Sequence, residues 1–101
     1  MPGMKIVVPH TLTVEEAMAR IRNLLAGIKR DYGDRVSDLE ERWTGDRGEF
    51  AFRAMGFAVS GTLHVRSGEV ELDGQYPWAA APFKGKIESM IRDRATQLLS
   101  S

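Results

Sequence analysis

The sequence contains two histidines, the residues that most often bind metals and transfer protons near neutral pH. His10 lies between an apolar run and the start of a helical pattern, and His64 lies within an alternating run. Neither belongs to a His-x-x-x-His or Glu-x-x-His spacing, which would place two ligands on one face of a helix. The sequence therefore predicts no metal site. We expect His10 to be a hydrogen-bonded loop residue and His64 to face solvent.

No candidate nucleophile has the sequence surroundings that catalysis requires. Ser60 lacks the Gly-x-Ser-x-Gly turn that exposes a catalytic serine, and the chain has no cysteine. Paired-carboxylate chemistry needs two acids desolvated in a cleft, whereas the acids of the alternating runs fall on their polar side: Glu49, Glu69, Glu71 and Asp73. We therefore expect a protein that has no catalytic residues or cofactor. An esterase-like enzyme would need a buried histidine or carboxylate beside a nucleophile.

The aromatic side chains are the candidates for binding a ligand or a partner: Trp43, Phe50, Phe52, Phe57, Trp78 and Phe83. They are enough to fill a small core, but some could line a pocket between a sheet and the C-terminal helix. Alternatively, some could form an exposed patch, which usually marks a partner or membrane-like surface. The loop Trp78–Phe83 is the strongest candidate for a patch, because Pro77 and Pro82 hold it apart from regular structure.

Hydrophobic alternation predicts the strands that position these residues. In residues 57–66, 69–73 and 49–54, apolar side chains take one parity and polar ones the other, which is typical of strands with one buried face. Turn residues at 44–46 and 67–68 separate the runs, so they predict an antiparallel meander. Residues 4–8 predict a first strand that ends at Pro9. Residues 36–43 predict a further strand, although residues 38–42 could equally continue a helix.

Two helices are predicted to cover the sheet. Thr13 and Glu16 form a capping-box pattern, and apolar residues then recur at helical spacing as far as Tyr32. The second helix runs from Pro82 to Leu99, and we interpret Gly27 in the first as a point of close packing against the sheet. The predicted fold is α+β, in the order β-α-β-β-β-β-α. It has a five-stranded antiparallel sheet in the spatial order 1-5-4-3-2, with both helices on its apolar face.

Composition limits the class of protein. A chain of 101 residues predicts a single domain over residues 1–101, and a hydrophobic fraction of 43% is typical of a folded chain. Lys+Arg and Asp+Glu are both 14, so no basic excess favours nucleic acid. The N-terminal residues resemble neither a secretion signal nor a membrane span, so we expect a cytoplasmic protein.

The second predicted strand lies at one edge of the sheet. If that edge is uncovered, its unpaired backbone groups would favour pairing between two chains.

Several segments, taken in order and spacing, resemble a known family over nearly the full length: His10-Thr11-Leu12, Glu15–Ala17, Trp43-Thr44-Gly45-Asp46, Phe50, Gly61, Pro77-Trp78 and Pro82–Glu88. The chain is similar in these segments to the polyhydroxyalkanoic acid system proteins, also called granule-region proteins. The turn at Met55-Gly56-Phe57 departs from the family's glycine spacing, so the register of that hairpin stays open. The predicted arrangement also looks like a reduced helix-grip domain, the architecture of START and Bet v 1 proteins.

The resemblance implies a role in making and using the storage polyester polyhydroxyalkanoate, some of whose proteins coat the granule surface. It supplies no catalytic motif. We therefore expect a non-enzymatic protein that acts at the granule surface or on granule-associated proteins. The alternative is a helix-grip module that binds an apolar small molecule, such as an acyl chain, between sheet and helix. That alternative requires an internal cavity of several hundred Å3, and a solid aromatic core would argue against it.

Overall fold

The chain forms a five-stranded antiparallel sheet covered on one face by helices. The computed structural model describes residues 3–100. In chain order its elements are β1 (Gly3–Pro9), α1 (Val14–Ile21), α2 (Leu24–Tyr32), a 3-10 turn (Gly33–Arg35), β2 (Val36–Thr44), β3 (Arg47–Ala54), β4 (Phe57–Arg66), β5 (Glu69–Gln75), a 3-10 helix (Trp78–Phe83) and α3 (Lys84–Leu99). This order confirms the predicted α+β topology, with the first predicted helix divided in two.

The spatial order of the strands is β1-β5-β4-β3-β2, as the sequence predicts. Leu72 lies opposite Ile6 on one side and Leu63 on the other, and all three side chains are buried on the helix-covered face. Directly opposite residues of antiparallel strands point to the same face. The alternation in the sequence therefore places a continuous apolar layer under the helices and a polar layer on the other face.

The hairpin between β3 and β4 is tight. Ala54 pairs with Phe57, so only Met55 and Gly56 form the loop. Their φ angles are 53° and 84°, and two successive positive values are typical of a type I′ turn, whose twist matches that of the flanking strands. This geometry determines the register that the sequence left open.

Residues 36–44 form a strand rather than a helix, but the strand is irregular. The pairing of β2 with β3 shifts between Ser37 and Glu40, and Asp38 has a φ of 54°. Aspartate tolerates this left-handed conformation better than most residues, and the extra residue is a β-bulge. Trp43, farther along β2, lies opposite Gly48 on the helix-covered face.

The first predicted helix begins where expected but is interrupted. The Thr13 hydroxyl accepts a hydrogen bond from the Glu16 amide at 3.1 Å, which is the predicted cap. The side-chain amide of Asn23 donates to the carbonyl oxygens of Ala19 and Arg20. This local hydrogen bonding competes with the helical pattern and accompanies the break between α1 and α2.

The core lies between the apolar face of the sheet and the three helices. Its largest fully buried side chains come from both layers: Ile6, Ile21, Leu24, Ile28, Leu72, Ile87 and Ile91, with Val36, Val59, Val65 and Val70. Gly27 allows close packing, but against α3 rather than against the sheet as predicted. A Cβ at Gly27 would lie 2.7 Å from Cδ of Arg94, and Nε of Arg94 donates to Asp31 at 2.9 Å.

Candidate functional site

The segment Trp78–Phe83 is a 3-10 helix, not the irregular loop that the sequence predicts. Pro82 lies inside it, and α3 begins at Lys84 rather than at Pro82. Its sequence, WAAAPF, is entirely apolar, yet Ala80 alone of these six residues is buried. Trp78 is 73% exposed and Phe83 is 42% exposed. Two large aromatic side chains therefore face solvent from a segment with regular backbone structure.

The positions of these aromatic residues follow from buried anchors on either side. Tyr76 precedes the segment and is buried, Ala80 is buried within it, and Ile87 is buried one turn into α3. The amide of Ala80 donates to the carbonyl oxygen of Pro77 at 2.9 Å. The exposed aromatic residues therefore lie on a segment that buried residues fix before, within and after it.

The tip of the β3–β4 hairpin extends this apolar surface. The ring of Phe57 lies 5.7 Å from the ring of Phe83, centroid to centroid, with the planes tilted by 35°. This spacing is within the range of favourable aromatic pairs. Phe57 and Met55 are both partly buried against the core. We define the apolar patch as Met55, Phe57 and Phe83 together with Trp78, which lies five residues before Phe83 in the same 3-10 helix.

The other candidate aromatics take positions outside the apolar patch. Phe50 and Phe52 are 5% and 2% exposed, and their rings stack with centroids 6.1 Å apart. Both belong to the core, which favours the packed-core interpretation over a ligand pocket at these positions. Trp43 is half-buried near the edge of the sheet, where the guanidinium carbon of Arg22 lies 5.5 Å from the centre of its ring.

Both histidines have structural surroundings. His10 is buried, and its Nε2 lies 2.9 Å from the carbonyl oxygen of Arg66, to which it donates. The same ring accepts at Nδ1 from the amide of Leu12 at 3.0 Å. His64 lies on the polar face of the sheet, 3.4 Å from a carboxylate oxygen of Asp46. In residues 3–100, no group of three or more His, Cys, Asp or Glu side chains is arranged to hold a metal ion.

The polar face of the sheet carries a broad, open trough with mixed charge. One row of paired residues crosses all five strands, in the order Arg42, Glu49, Thr62, Asp73 and Lys5. Positive and negative side chains both occur along this row, so the trough has no single charge that would select a ligand. It lies on the opposite side of the sheet from the space that an acyl-chain carrier would use.

Met55, a member of the apolar patch, was not among the sequence candidates. It occupies the hairpin loop, where the guanidinium of Arg53 donates to the carbonyl oxygen of Gly56 at 2.8 Å. The periodicity of the sequence does not predict that this turn lies next to Phe83. The proximity depends on the strand order and on the path of the chain from β5 into α3.

The fold and the apolar patch define a small α+β protein with one helix-covered sheet face and a separate exposed apolar surface. Residues 4–99 match the family model described as "Putative polyhydroxyalkanoic acid system protein". The chain therefore belongs to this family, as its sequence resemblance indicated. No curated protein and no solved structure matches the chain, so the similarity to helix-grip domains stays a prediction. None of the helices within residues 3–100 is long and apolar enough to cross a membrane.

Proposed function

We propose that this protein is a non-enzymatic, cytoplasmic member of the polyhydroxyalkanoate storage system that binds at the granule surface or to granule-associated proteins through its apolar patch. The observation that carries the proposal is the exposure of Trp78, 73% of whose surface is open to solvent. Family membership supplies the biological setting, and the apolar patch supplies a surface with which to bind.

The energy of burial supports a binding role for Trp78. A buried tryptophan removes roughly 150–250 Å2 from water, and apolar area contributes about 25 cal/mol per Å2. At the observed exposure, burying Trp78 would contribute on the order of 3 kcal/mol before the entropy cost of association. Phe83 adds a smaller amount because more of it is already covered.

The surroundings of His10 and the packing of the core aromatic residues support binding at the surface rather than catalysis or ligand carriage. Both ring nitrogens of His10 are occupied by backbone partners, so neither is free to take a proton from a substrate. Phe50 and Phe52 fill the space beneath the helices where an acyl chain would have to lie. These observations favour an action through the outer surface.

A localisation experiment tests the proposal. A fluorescent fusion is expressed in granule-filled cells and compared with the double variant Trp78→Ser, Phe83→Ser. The control is Val7→Thr on the polar face of the sheet. Val7 is an apolar residue whose side chain is 44% exposed, close to the exposure of Phe83. We expect the wild type and the control to ring the granules and the double variant to be diffuse.

Two results would contradict the proposal. A wild-type fusion that stays diffuse, while a known coat protein rings the granules, would rule out action at the surface. Equal localisation of the double variant and the wild type would rule out the apolar patch as the binding surface. Thermal unfolding of each purified variant shows whether a diffuse signal reflects lost binding or lost folding.

A further inference from the structure

Basic side chains border the apolar patch. Lys84 and Lys86 follow Phe83 directly in the first turn of α3, and both are exposed. Phe83, whose ring contacts Phe57, therefore has two exposed positive groups beside it at the start of α3.

The border has a net positive charge. The sequence contains no acidic residue between Asp73 and Glu88. Glu88 lies 3.9 Å from the Lys84 amine, so it offsets part of that charge. At the start of α3, two lysines therefore accompany one carboxylate. The chain as a whole has no net charge, so this positive border is a local feature.

We propose that the apolar patch inserts into an anionic phospholipid surface, with Trp78 and Phe83 entering the interface and the basic border contacting the headgroups. Exposed aromatic residues next to lysine and arginine are the composition of interfacial anchors. A bare polyester surface has no anionic groups, so it would bind only the aromatic residues and not the basic side chains. The inference rests on the proposed function, since it names the chemistry that the same patch recognises.

The exposed area of Trp78 and Phe83 is sufficient for a lipid surface. The exposed parts of Trp78 and Phe83 together offer roughly 200–300 Å2. A stable protein interface needs roughly 800 Å2 on each partner. Insertion into a lipid interface has no such minimum, because a few buried aromatic groups and the attraction of anionic headgroups to basic side chains are sufficient for reversible binding.

Vesicle co-sedimentation tests the inference. The whole purified protein is mixed at low salt with vesicles of phosphatidylglycerol and phosphatidylcholine, and separately with vesicles of phosphatidylcholine alone. We expect binding to the anionic vesicles and at most weak binding to the neutral ones. Lys86→Gln should weaken anionic binding about fivefold, since each basic residue near an anionic surface contributes about that factor. The control Lys5→Gln removes the same charge from the polar face of the sheet and should bind as the wild type does.

Tryptophan fluorescence identifies the inserted residue. The chain has two tryptophans: Trp43 at the sheet edge and Trp78 in the apolar patch. Insertion should shift the emission of the wild type to shorter wavelength on adding anionic vesicles. Trp78→Phe should remove the shift, while Trp43 still fluoresces. A shift that survives this substitution would overturn the inference.

The combined outcomes separate the inference from the proposed function. Absence of vesicle binding by a protein that rings granules through Trp78 and Phe83 would overturn the lipid inference and leave the granule role in place. Equal losses for Lys86→Gln and Lys5→Gln would overturn it too, because they would show attraction to net charge alone. Vesicle binding by a protein that stays diffuse in granule-filled cells would support lipid recognition and contradict the granule role.

Discussion

Replacing Gly61 by alanine should destabilise the fold, because β4 and β5 approach too closely there for a side chain. Gly61 pairs with Gly74 of β5 and with Phe50 of β3. A Cβ at Gly61 would lie 2.2 Å from the carbonyl oxygen of Asp73, 2.8 Å from Cα of Gly74 and 2.8 Å from the tip of the Phe50 ring. The first two contacts are with backbone, so they cannot be relieved by rotating a side chain.

The expected loss can be bounded from two opposing effects. Overpacking a well-filled core costs about 1–3 kcal/mol, and a clash with backbone belongs at the upper end of that range. Alanine regains roughly 0.5–1 kcal/mol because it is less flexible than glycine in the unfolded chain. The net destabilisation is therefore about 2 kcal/mol. In a domain of this size that corresponds to a fall in Tm of roughly 8–16 °C.

Urea unfolding followed by far-ultraviolet circular dichroism measures this loss, as a lower midpoint at unchanged slope. Gly85→Ala is the matched control, because no atom beyond its chain neighbours and the backbone of its own helix lies within 4 Å of the added methyl group. Gly85 lies in a helix, so this control should gain up to about 1 kcal/mol. If Gly61→Ala unfolded within about 0.5 kcal/mol of the wild type, the close approach of β4 and β5 would be refuted.

Three further comparisons between variants test separate features of the fold by the same unfolding measurement. Asp38→Gly should be about 1 kcal/mol more stable than Asp38→Ala, since only glycine adopts the positive φ of the bulge without strain; equal stabilities would contradict the bulge. Gly27→Ala should lower the stability of the wild type, because the new methyl group meets the Arg94 side chain. In the Arg94→Ala variant, the same substitution should raise the stability by up to about 1 kcal/mol. Additive effects of the two substitutions would contradict the contact between Gly27 and Arg94. His10→Ala should cost about 2 kcal/mol because it removes the hydrogen bonds of two partly buried backbone groups, whereas His64→Ala should cost less than about 0.5 kcal/mol. Similar losses for the two variants would contradict the stabilising role of the His10 hydrogen bonds.

Local patterns in the sequence were sufficient to predict most of the fold. Alternation assigned the two faces of β4 correctly, because side chains of an extended strand must point to opposite sides. The Thr13 cap was predictable because it involves groups only three residues apart. The prediction missed the break at Asn23, because an apolar stripe continues across it and only the local side-chain bonds reveal it.

The candidate site was predictable only in part. The sequence showed that the segment Trp78–Phe83 is apolar and bounded by prolines. It did not predict the 3-10 structure of this segment or the burial of Ala80. The six aromatic candidates could not be sorted into core and surface from sequence, since each is apolar wherever it lies. Phe52 and Phe83 differ in exposure because Phe52 lies on the helix-covered face of β3, whereas Phe83 lies in the 3-10 helix outside the sheet.

The sequence by itself determined most of the elements, their order, the polar and apolar faces of the strands, and the family. These depend on residue spacing and on matches along the chain. Tertiary structure decided which aromatic residues stay exposed and the contact between Phe57 and Phe83. These two residues are far apart in the chain, and they come into contact only through the order of the strands and the path of the chain into α3. Secondary-structure preferences act over a few residues, so they do not predict such a contact.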